Sequence, residues 1–186
     1  MRAVSWLPVA AVTLIHLIAL VTGADALADS TQVLLMPALA VVLLVLPRSD
    51  RGPAWPWALG ALAGSWVGDS LPKVMPEDLQ FIAMVGGFAV AQALWIAAFT
   101  RTPRRRPPLA WVLLLVVVAI ALLAVTVPSA GALAPAVVIY GLLLLAVAYL
   151  AAGHGLVVMA TYVAAQALFV AVILRARPSR AADLTR

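Results

Sequence analysis

The sequence predicts an all-α, polytopic transmembrane helix bundle of about seven helices. Of its 186 residues, 66% are hydrophobic and only 10% are charged, and the mean hydropathy is +1.12. A soluble domain is roughly half apolar and a quarter charged, so an aqueous fold could not bury this much apolar surface. The apolar runs are continuous rather than alternating, which favours helices over the strands of a transmembrane barrel.

Short connections that are rich in Pro, Gly and charged residues separate the apolar runs. They read GADALADS, PRSDRGP, PKVMPED, TRTPRRRPP, VPSAGALAP and AAGHG, and none has room for a soluble domain. The predicted helices span about residues 4–22, 31–46, 54–71, 79–99, 109–127, 132–152 and 155–174. We therefore expect a single transmembrane domain over residues 1–175, followed by a basic, disordered tail over residues 176–186.

The first apolar stretch has two interpretations. Arg2, the apolar run and the triplet Ala26-Leu27-Ala28 resemble a secretory signal peptide with its cleavage site. However, the run is long and further spans follow it directly, so we expect an uncleaved first helix.

The placement of arginines predicts the orientation in the membrane. Arg48 and Arg51 lie in the second connection, four more arginines lie in the fourth (101–106), and the first connection holds Asp25 and Asp29 without a basic residue. Because basic loops stay in the cytoplasm, the amino terminus is expected there. With seven spans the arginine-rich tail would lie outside the cell, whereas its arginines favour the cytoplasm. The number of predicted spans therefore differs by one from the number that the charges indicate.

An internal repeat would explain this mismatch. FAVAQALWIAAFTR (88–101) resembles YVAAQALFVAVILR (162–175) at an offset of 74, and MPALAVV (36–42) resembles APAVVIY (134–140) at an offset of 98. The two offsets differ by 24 residues, which is about one membrane helix and a turn. We expect a degenerate repeat of four helices plus three, with chance similarity between Ala/Leu-rich helices as the alternative.

Asp69 is the candidate catalytic residue. It ends the third predicted helix, and a carboxylate inside the bilayer costs roughly 2.5–3.5 kcal/mol on insertion scales. Ser65 lies four residues earlier and hence on the same helix face. A carboxyl that is partly shielded from water can act as a general acid or base. The alternative is an interfacial Asp69 that is solvated beside three charged residues, Lys73, Glu77 and Asp78.

Polar side chains within other helices are candidates for a pocket. A glutamine in lipid turns inward and hydrogen-bonds to another helix, and a tyrosine hydroxyl needs a partner. Such residues serve either to hold helices together or as the wall of a polar pocket. They are Gln92, Tyr140, Tyr162 and Gln166. Gln32, at the start of the second helix, is expected at the membrane interface.

The remaining chemistry-bearing residues are few. The chain has no cysteine, and its two histidines, His16 and His154, are isolated, so neither a metal site nor a cofactor is expected. For His16 the alternatives are a buried neutral side chain with one hydrogen bond and a catalytic residue, and we expect the former. We expect an exposed His154. Phosphate-loop, serine-elbow and zinc-protease motifs are absent, and one nearly solitary intramembrane carboxylate argues against a proton-driven transporter.

Taken together, several segments resemble the YhhN, or lysoplasmalogenase-like, family of membrane proteins. They are TQVLLMPALAVVLLV (31–45), GSWVGDSL (64–71), FIAMVGGFAVAQALWIAAF (81–99), PAVVIYGLLLLAVAYL (135–150) and VMATYVAAQALFV (158–170). The resemblance implies an eight-helix parent fold. It also implies hydrolysis of the vinyl ether bond of lysoplasmalogens to a fatty aldehyde and a glycerophospho-base, with Asp69 as the acid and base.

The chain departs from the pattern of the resembled family at three places. Gln32 stands where the family has a lysine, and Gln92 stands where it has a histidine. The family's seventh helix, with its own Ser-Asp motif, has no counterpart between Tyr149 and Gly153, where the repeat offsets leave a gap. A site of two carboxylates therefore cannot form within one chain. Either the activity is lost, or Asp69 works alone, or a second subunit completes the site.

These inferences predict a lipid vinyl-ether hydrolase in which Asp69 is catalytic. Its predicted pocket residues are Ser65, Gln92, Tyr140, Tyr162 and Gln166. A non-catalytic membrane protein that binds lipid or a partner is the alternative, and a small-molecule carrier is a third. The Ala/Val/Arg-rich composition indicates a bacterial plasma (inner) membrane. The expected partners are the lipid bilayer and a lysophospholipid-type substrate. Nucleic acid is not expected as a partner, and the sequence is compatible with a homo-oligomer.

Overall fold

The computed structural model describes residues 3–103 and 106–153, and all regular secondary structure in them is helical. The helices are α1 (Leu7–Thr22), α2 (Asp25–Leu44), α3 (Trp55–Ser70), α4 (Glu77–Phe99), α5 (Leu109–Thr126) and α6 (Ala134–Ala152). The all-α prediction and the first six predicted helices are confirmed. The predicted helix over residues 155–174, which includes Tyr162 and Gln166, and the predicted tail lie outside the described residues.

Four of the described helical segments are long and apolar enough to cross a membrane. They are Asp25–Leu44, Glu77–Phe99, Leu109–Ser129 and Gly131–Ala152, the last two including adjoining 3₁₀ turns. The 16-residue α1 is a shorter apolar helix, about 24 Å long against a hydrocarbon core of ~30 Å. The equally short α3 continues directly into the 3₁₀ turn Leu71–Val74. The chain is an integral membrane protein.

Small residues lie between the helices and large apolar residues face outward. The fully buried side chains are mostly alanines, such as Ala19, Ala61 and Ala91, whereas Val21, Ile120 and other large residues are exposed. This arrangement suits a bilayer, because lipid tails solvate Leu and Ile while small residues let helix backbones approach closely. The exposed apolar surface is therefore the surface that meets lipid.

The described helices pack as a row. Helix α1 packs on α2, α2 on α3, α3 on α4, and α4 on α6, while α5 packs on the other side of α6. Short connections make successive helices antiparallel, and one contact at each end of the α2–α3 pair shows this. Trp55 Nε1 donates to the carbonyl of Leu43 over 2.8 Å at one end, and Gln32 meets Asp69 at the other.

The closest helix contact joins α3 and α4 through glycines. A Cβ atom placed on Gly87 would lie 2.6 Å from the backbone of Gly68, and one placed on Gly64 would lie 3.1 Å from the backbone of Ala91. Side chains at these positions would force the helices apart. Glycines at 64, 68 and 87 therefore allow the close approach of α3 and α4, which positions Asp69 against α4.

The predicted first connection, residues 23–30, is wrong for most of its length. Only Gly23 and Ala24 separate the two helices, because Gly23 adopts a left-handed conformation (φ 68°) and turns the chain within two residues. Asp25 stands in the first turn of α2, where a carboxylate favours the positive end of the helix dipole. The acidic residues that seemed to mark a loop are thus on a helix.

Cations and tryptophans meet at one end of the row. The Arg51 guanidinium lies 4.5 Å from the ring centre of Trp55, and that of Arg101 lies 4.1 Å from the ring centre of Trp57. Arg51 also donates to the carbonyls of Leu44 and Leu46, so it covers the end of α2. At this end of the helices, the connection between α2 and α3 lies near the carboxyl end of α4. Asp69 lies at the opposite end of α3.

The internal repeat rests on two pairs of similar segments, and the structure describes both members of only one pair, residues 36–42 and 134–140. This pair does not support the repeat. Pro37 lies inside α2, whereas Pro135, its partner at the offset of 98, lies in the first turn of α6. The two segments therefore occupy different positions in their helices. The second member of the other pair, residues 162–175, lies outside the described residues.

Candidate functional site

Asp69 lies at the contact of α3 with α2. It is half-buried, near the carboxyl end of α3, and Gln32 Nε2 of α2 donates a hydrogen bond to its Oδ1 over 3.0 Å. The charge of Lys73 is close enough to act on its carboxylate. The solvated alternative for Asp69 also placed Glu77 and Asp78 beside it, but these two are exposed and do not bond to it in the described residues. The carboxyl is held between helices.

An open cleft of about 500 Å³ lies beside this carboxyl, between α1 and α2. Four of its lining residues repeat on α2 at intervals that place them on one helix face. They are Asp25, Ala28, Asp29 and Gln32, and the other two lining residues are His16 and Leu20 of α1. Asp69 does not line the cleft itself. Gln32 does, so it connects the carboxyl to the cleft.

The second polar contact in the cleft joins α1 to α2 through His16. Its Nδ1 lies 3.1 Å from the carbonyl oxygen of Ala28 and 2.9 Å from the hydroxyl oxygen of Thr31. The buried Thr31 hydroxyl lies 2.7 Å from the carbonyl of Leu27 and donates to it. His16 is half-buried, and its Nδ1 contacts two oxygen atoms where a single hydrogen bond was expected.

The rim of the cleft carries an ion pair. Lys73 Nζ, in the 3₁₀ turn after α3, lies 2.6 Å from Asp29 Oδ1 of α2. Both side chains are solvated, so the pair contributes little to stability. It does fix the connection after α3 against the start of α2, and thus closes one side of the rim.

Of the predicted pocket residues, Ser65 is the nearest to Asp69 along the chain. It is 8% exposed, on the turn of α3 before Asp69 and next to the contact of Gly64 with α4. Its small side chain belongs to the packed α3–α4 seam.

Gln92 and Tyr140 form a separate pair. The Gln92 side chain of α4 lies close enough to the Tyr140 hydroxyl of α6 to interact with it, and both residues are half-buried. No hydrogen bond joins this pair to Asp69 in the part of the chain that the structure describes, and the pair acts between α4 and α6. Tyr162 and Gln166 lie outside that part.

Sequence reasoning missed the role of the first two helices. The sequence predicts Gln32 at the interface and Asp25 and Asp29 in a loop, and it does not connect His16 to any of them. The pattern of residues 25, 28, 29 and 32 does fit one face of a helix, and extending α2 back to Gly23 would have revealed it. The partnership of α1 with α2 has no signal in the sequence.

The site contains no evident metal centre. Within residues 3–103 and 106–153, no three His, Cys, Asp or Glu side chains are grouped so that they could hold a metal ion. The polar atoms near the cleft are instead an imidazole, an amide and carboxylates, which transfer or position protons.

Comparison with known proteins gives one result at the level of the family. No curated protein and no solved structure matches the chain. The family model described as the YhhN family matches residues 27–156, a range that contains Gln32, Ser65, Asp69, Gln92 and Tyr140. Because this match covers more than half of the chain and most of the described helices, the protein belongs to the YhhN family.

Proposed function

We propose that the protein is a lysoplasmalogenase-like hydrolase that cleaves the vinyl ether bond of a lysophospholipid-type substrate. The observation that supports this most is the Asp69 carboxyl, half-buried, bonded to Gln32 across two helices and next to a cleft. A carboxyl in such surroundings is suited to hold a proton and deliver it to a bound lipid. Membership of the YhhN family is consistent with the same chemistry.

The proposed reaction begins with a protonated Asp69. The carboxyl gives its proton to the vinyl carbon that is remote from the ether oxygen, which leaves an oxocarbenium ion and a carboxylate beside it. Water adds to the cationic carbon and loses a proton, forming a hemiacetal. The hemiacetal then breaks its bond to the glycerol oxygen, which takes up a proton. The products are a fatty aldehyde and a glycerophospho-base, and the net reaction consumes one water.

The position of the cleft suits a lipid. It lies at the end of α1 and α2 that is opposite to the arginine–tryptophan contacts, and charged residues stand on its rim. On the α1 side, Leu17, Leu20 and Val21 are more than half exposed and provide an apolar wall along which an alkenyl chain can lie. A substrate entering from the bilayer would bring its vinyl ether, next to the headgroup, close to the polar cluster.

The test is aldehyde release from a purified lysoplasmalogen by wild-type protein in detergent or nanodiscs, compared with Asp69→Asn. We expect Asp69→Asn to lower the rate by about 100-fold or more, since proton transfer by a positioned group contributes about 10²–10⁴-fold. Asp78→Asn is the matched control. Asp78 is an exposed carboxylate in the first turn of α4 and should tolerate the change with unaltered rate. Equal rates for wild type and Asp69→Asn would remove Asp69 from the mechanism.

A non-catalytic lipid-binding protein is the second candidate. It is favoured by the Lys73–Asp29 pair, whose opposite charges at the rim match the phosphate and the amine of a zwitterionic headgroup. Absence of aldehyde from wild-type protein, together with saturable binding of the same lipid, would support this candidate over the hydrolase.

A further inference from the structure

We infer that His16 is a second catalytic residue of this site, the general base that takes a proton from the attacking water. This inference rests on the proposed hydrolase function and adds to it. Residue 16 lies outside the range that the family model matches, which begins at residue 27. The contacts of the imidazole within the structure are what support it.

The contacts of Nδ1 favour hydrogen on that nitrogen. A carbonyl oxygen only accepts, so the 3.1 Å contact of Nδ1 with the Ala28 carbonyl is a hydrogen bond when Nδ1 holds the hydrogen. The Thr31 hydroxyl, 2.9 Å from the same nitrogen, gives its own hydrogen to the Leu27 carbonyl and therefore also accepts. In a neutral imidazole with hydrogen on Nδ1, Nε2 holds a free lone pair.

The lone pair on Nε2 is available to the cleft. Nε2 has no hydrogen-bond partner among the residues that the structure describes, and the His16 ring lines the cleft of about 500 Å³. A water molecule in the liquid takes up about 30 Å³, so the cleft has ample room for water beside a lipid headgroup. An imidazole with one nitrogen anchored and the other unprotonated is arranged as a general base.

The place of His16 relative to Asp69 suits a division of roles. Gln32, which donates a hydrogen bond to Asp69, lines the same cleft as His16 and so connects the two groups. Asp69 gives its proton to the vinyl carbon and becomes a carboxylate. Nε2 of His16 then accepts a proton from the water as its oxygen bonds to the cationic carbon, which yields a neutral hemiacetal and an imidazolium.

Collapse of the hemiacetal restores both groups. The imidazolium returns its proton to the glycerol oxygen as the carbon–oxygen bond breaks, and the hemiacetal hydroxyl gives its proton to the Asp69 carboxylate as the aldehyde forms. No further reactant is required. The imidazole thus supplies the second proton-transfer group that a single carboxyl lacks.

The experiment separates a base from an anchor by comparing His16→Asn with His16→Ala. An asparagine amide nitrogen can occupy the place of Nδ1 and donate to Ala28 and Thr31, but it offers nothing at the place of Nε2. We expect both variants to lower kcat for aldehyde release by about 100-fold or more, with little change in KM. His16→Asn should keep the unfolding temperature of the wild type, which shows that the fold is intact.

The outcomes distinguish this inference from the proposed function. Activity of His16→Asn close to wild type, with loss only in His16→Ala, would make His16 an anchor and overturn the base role while the hydrolase stands. A wild-type protein without activity would remove the hydrolase itself and the base role with it.

A spectroscopic measurement tests the tautomer without any substrate. Nitrogen NMR of ¹⁵N-histidine-labelled His154→Gln protein observes His16 alone, because the chain has two histidines. We expect hydrogen on Nδ1 and an unprotonated Nε2 in the neutral form. Hydrogen on Nε2 instead would overturn the inference, whatever the activity.

Discussion

Gln32 and Asp69 are 37 positions apart in the sequence, yet the Gln32 amide donates a hydrogen bond to Asp69 Oδ1 over 3.0 Å. The bond joins the first turns of α2 to the last turn of α3 and connects the carboxyl to the cleft that Gln32 lines. Gln32 is thus a neutral donor to this carboxyl. A neutral donor holds the carboxyl in place without adding the full positive charge that would favour its ionised form.

The Gln32–Asp69 bond predicts energetic coupling between the two positions. In a double-mutant cycle with Gln32→Leu and Asp69→Leu, we expect the free energies of unfolding to deviate from additivity by about 0.5–3 kcal/mol, as is typical of contacting residues. Each single change leaves a partly buried polar group without its partner. Unfolding in detergent, followed by circular dichroism, measures this. Additive changes, within about 0.3–0.5 kcal/mol, would mean that the two side chains do not interact.

Adjacent glycines on α4 predict opposite outcomes of the same substitution. Gly87→Ala places a Cβ atom 2.6 Å from the backbone of Gly68, so we expect a loss of about 1–3 kcal/mol in the free energy of unfolding. Gly86→Ala is the matched control, because a Cβ atom there has open space around it. Since alanine favours a helix over glycine by about 1 kcal/mol, Gly86→Ala should be neutral or stabilising. Equal losses in both variants would contradict the close packing of α3 on α4.

The sequence was sufficient for the helices but not for the site. Apolar runs of about 20 residues bounded by Pro, Gly and charge identify membrane helices strongly, and six of the predicted helices are present. The carboxyl of Asp69 was also found, since a charge inside an apolar helix is conspicuous. The residues that contact Asp69 could not be predicted, because they depend on which helix faces pack against each other.

The contrast between two glutamines illustrates this limit. Gln92 is mid-helix, so an inward orientation toward another helix was predictable, and it does pair with Tyr140. Gln32 lay at a predicted helix start and seemed interfacial. Once α2 begins at Asp25, Gln32 is two turns inside the helix, and only the packing of α2 on α3 brings it to Asp69. The short connection between α1 and α2 therefore determines where Gln32 lies in its helix, and the sequence alone did not reveal how short it is.

The ion pair at the rim of the cleft predicts a small stability effect that depends on salt. Lys73→Met removes the cation that lies 2.6 Å from Asp29, but both side chains are solvated, so we expect a loss of at most about 1 kcal/mol. The loss should shrink when ionic strength rises from about 0.01 M to about 1 M, since the screening length falls from about 30 Å to about 3 Å. Thermal unfolding at the two salt concentrations measures it. A large loss that is independent of salt would indicate a role for Lys73 beyond the pair.

The two ends of the helix row predict opposite sides of the membrane. Arg48, Arg51 and Arg101 stand at one end, whereas Asp25 and Asp29 stand at the cleft end. Basic connections remain in the cytoplasm, so we expect the cleft to open on the opposite side. A substrate would then enter from the outer leaflet.

Single cysteines test this orientation cleanly, since the chain has none of its own. Ser30→Cys places a thiol on an exposed residue at the cleft end, and Ser49→Cys places one in the exposed second connection. A membrane-impermeant maleimide should label Ser30→Cys in intact cells and Ser49→Cys only after permeabilisation. The reverse pattern would place the cleft in the cytoplasm. Ser179→Cys, in the tail outside the described residues, should label with Ser30→Cys if the chain has seven spans, because an odd number of spans puts the tail on the side of the cleft.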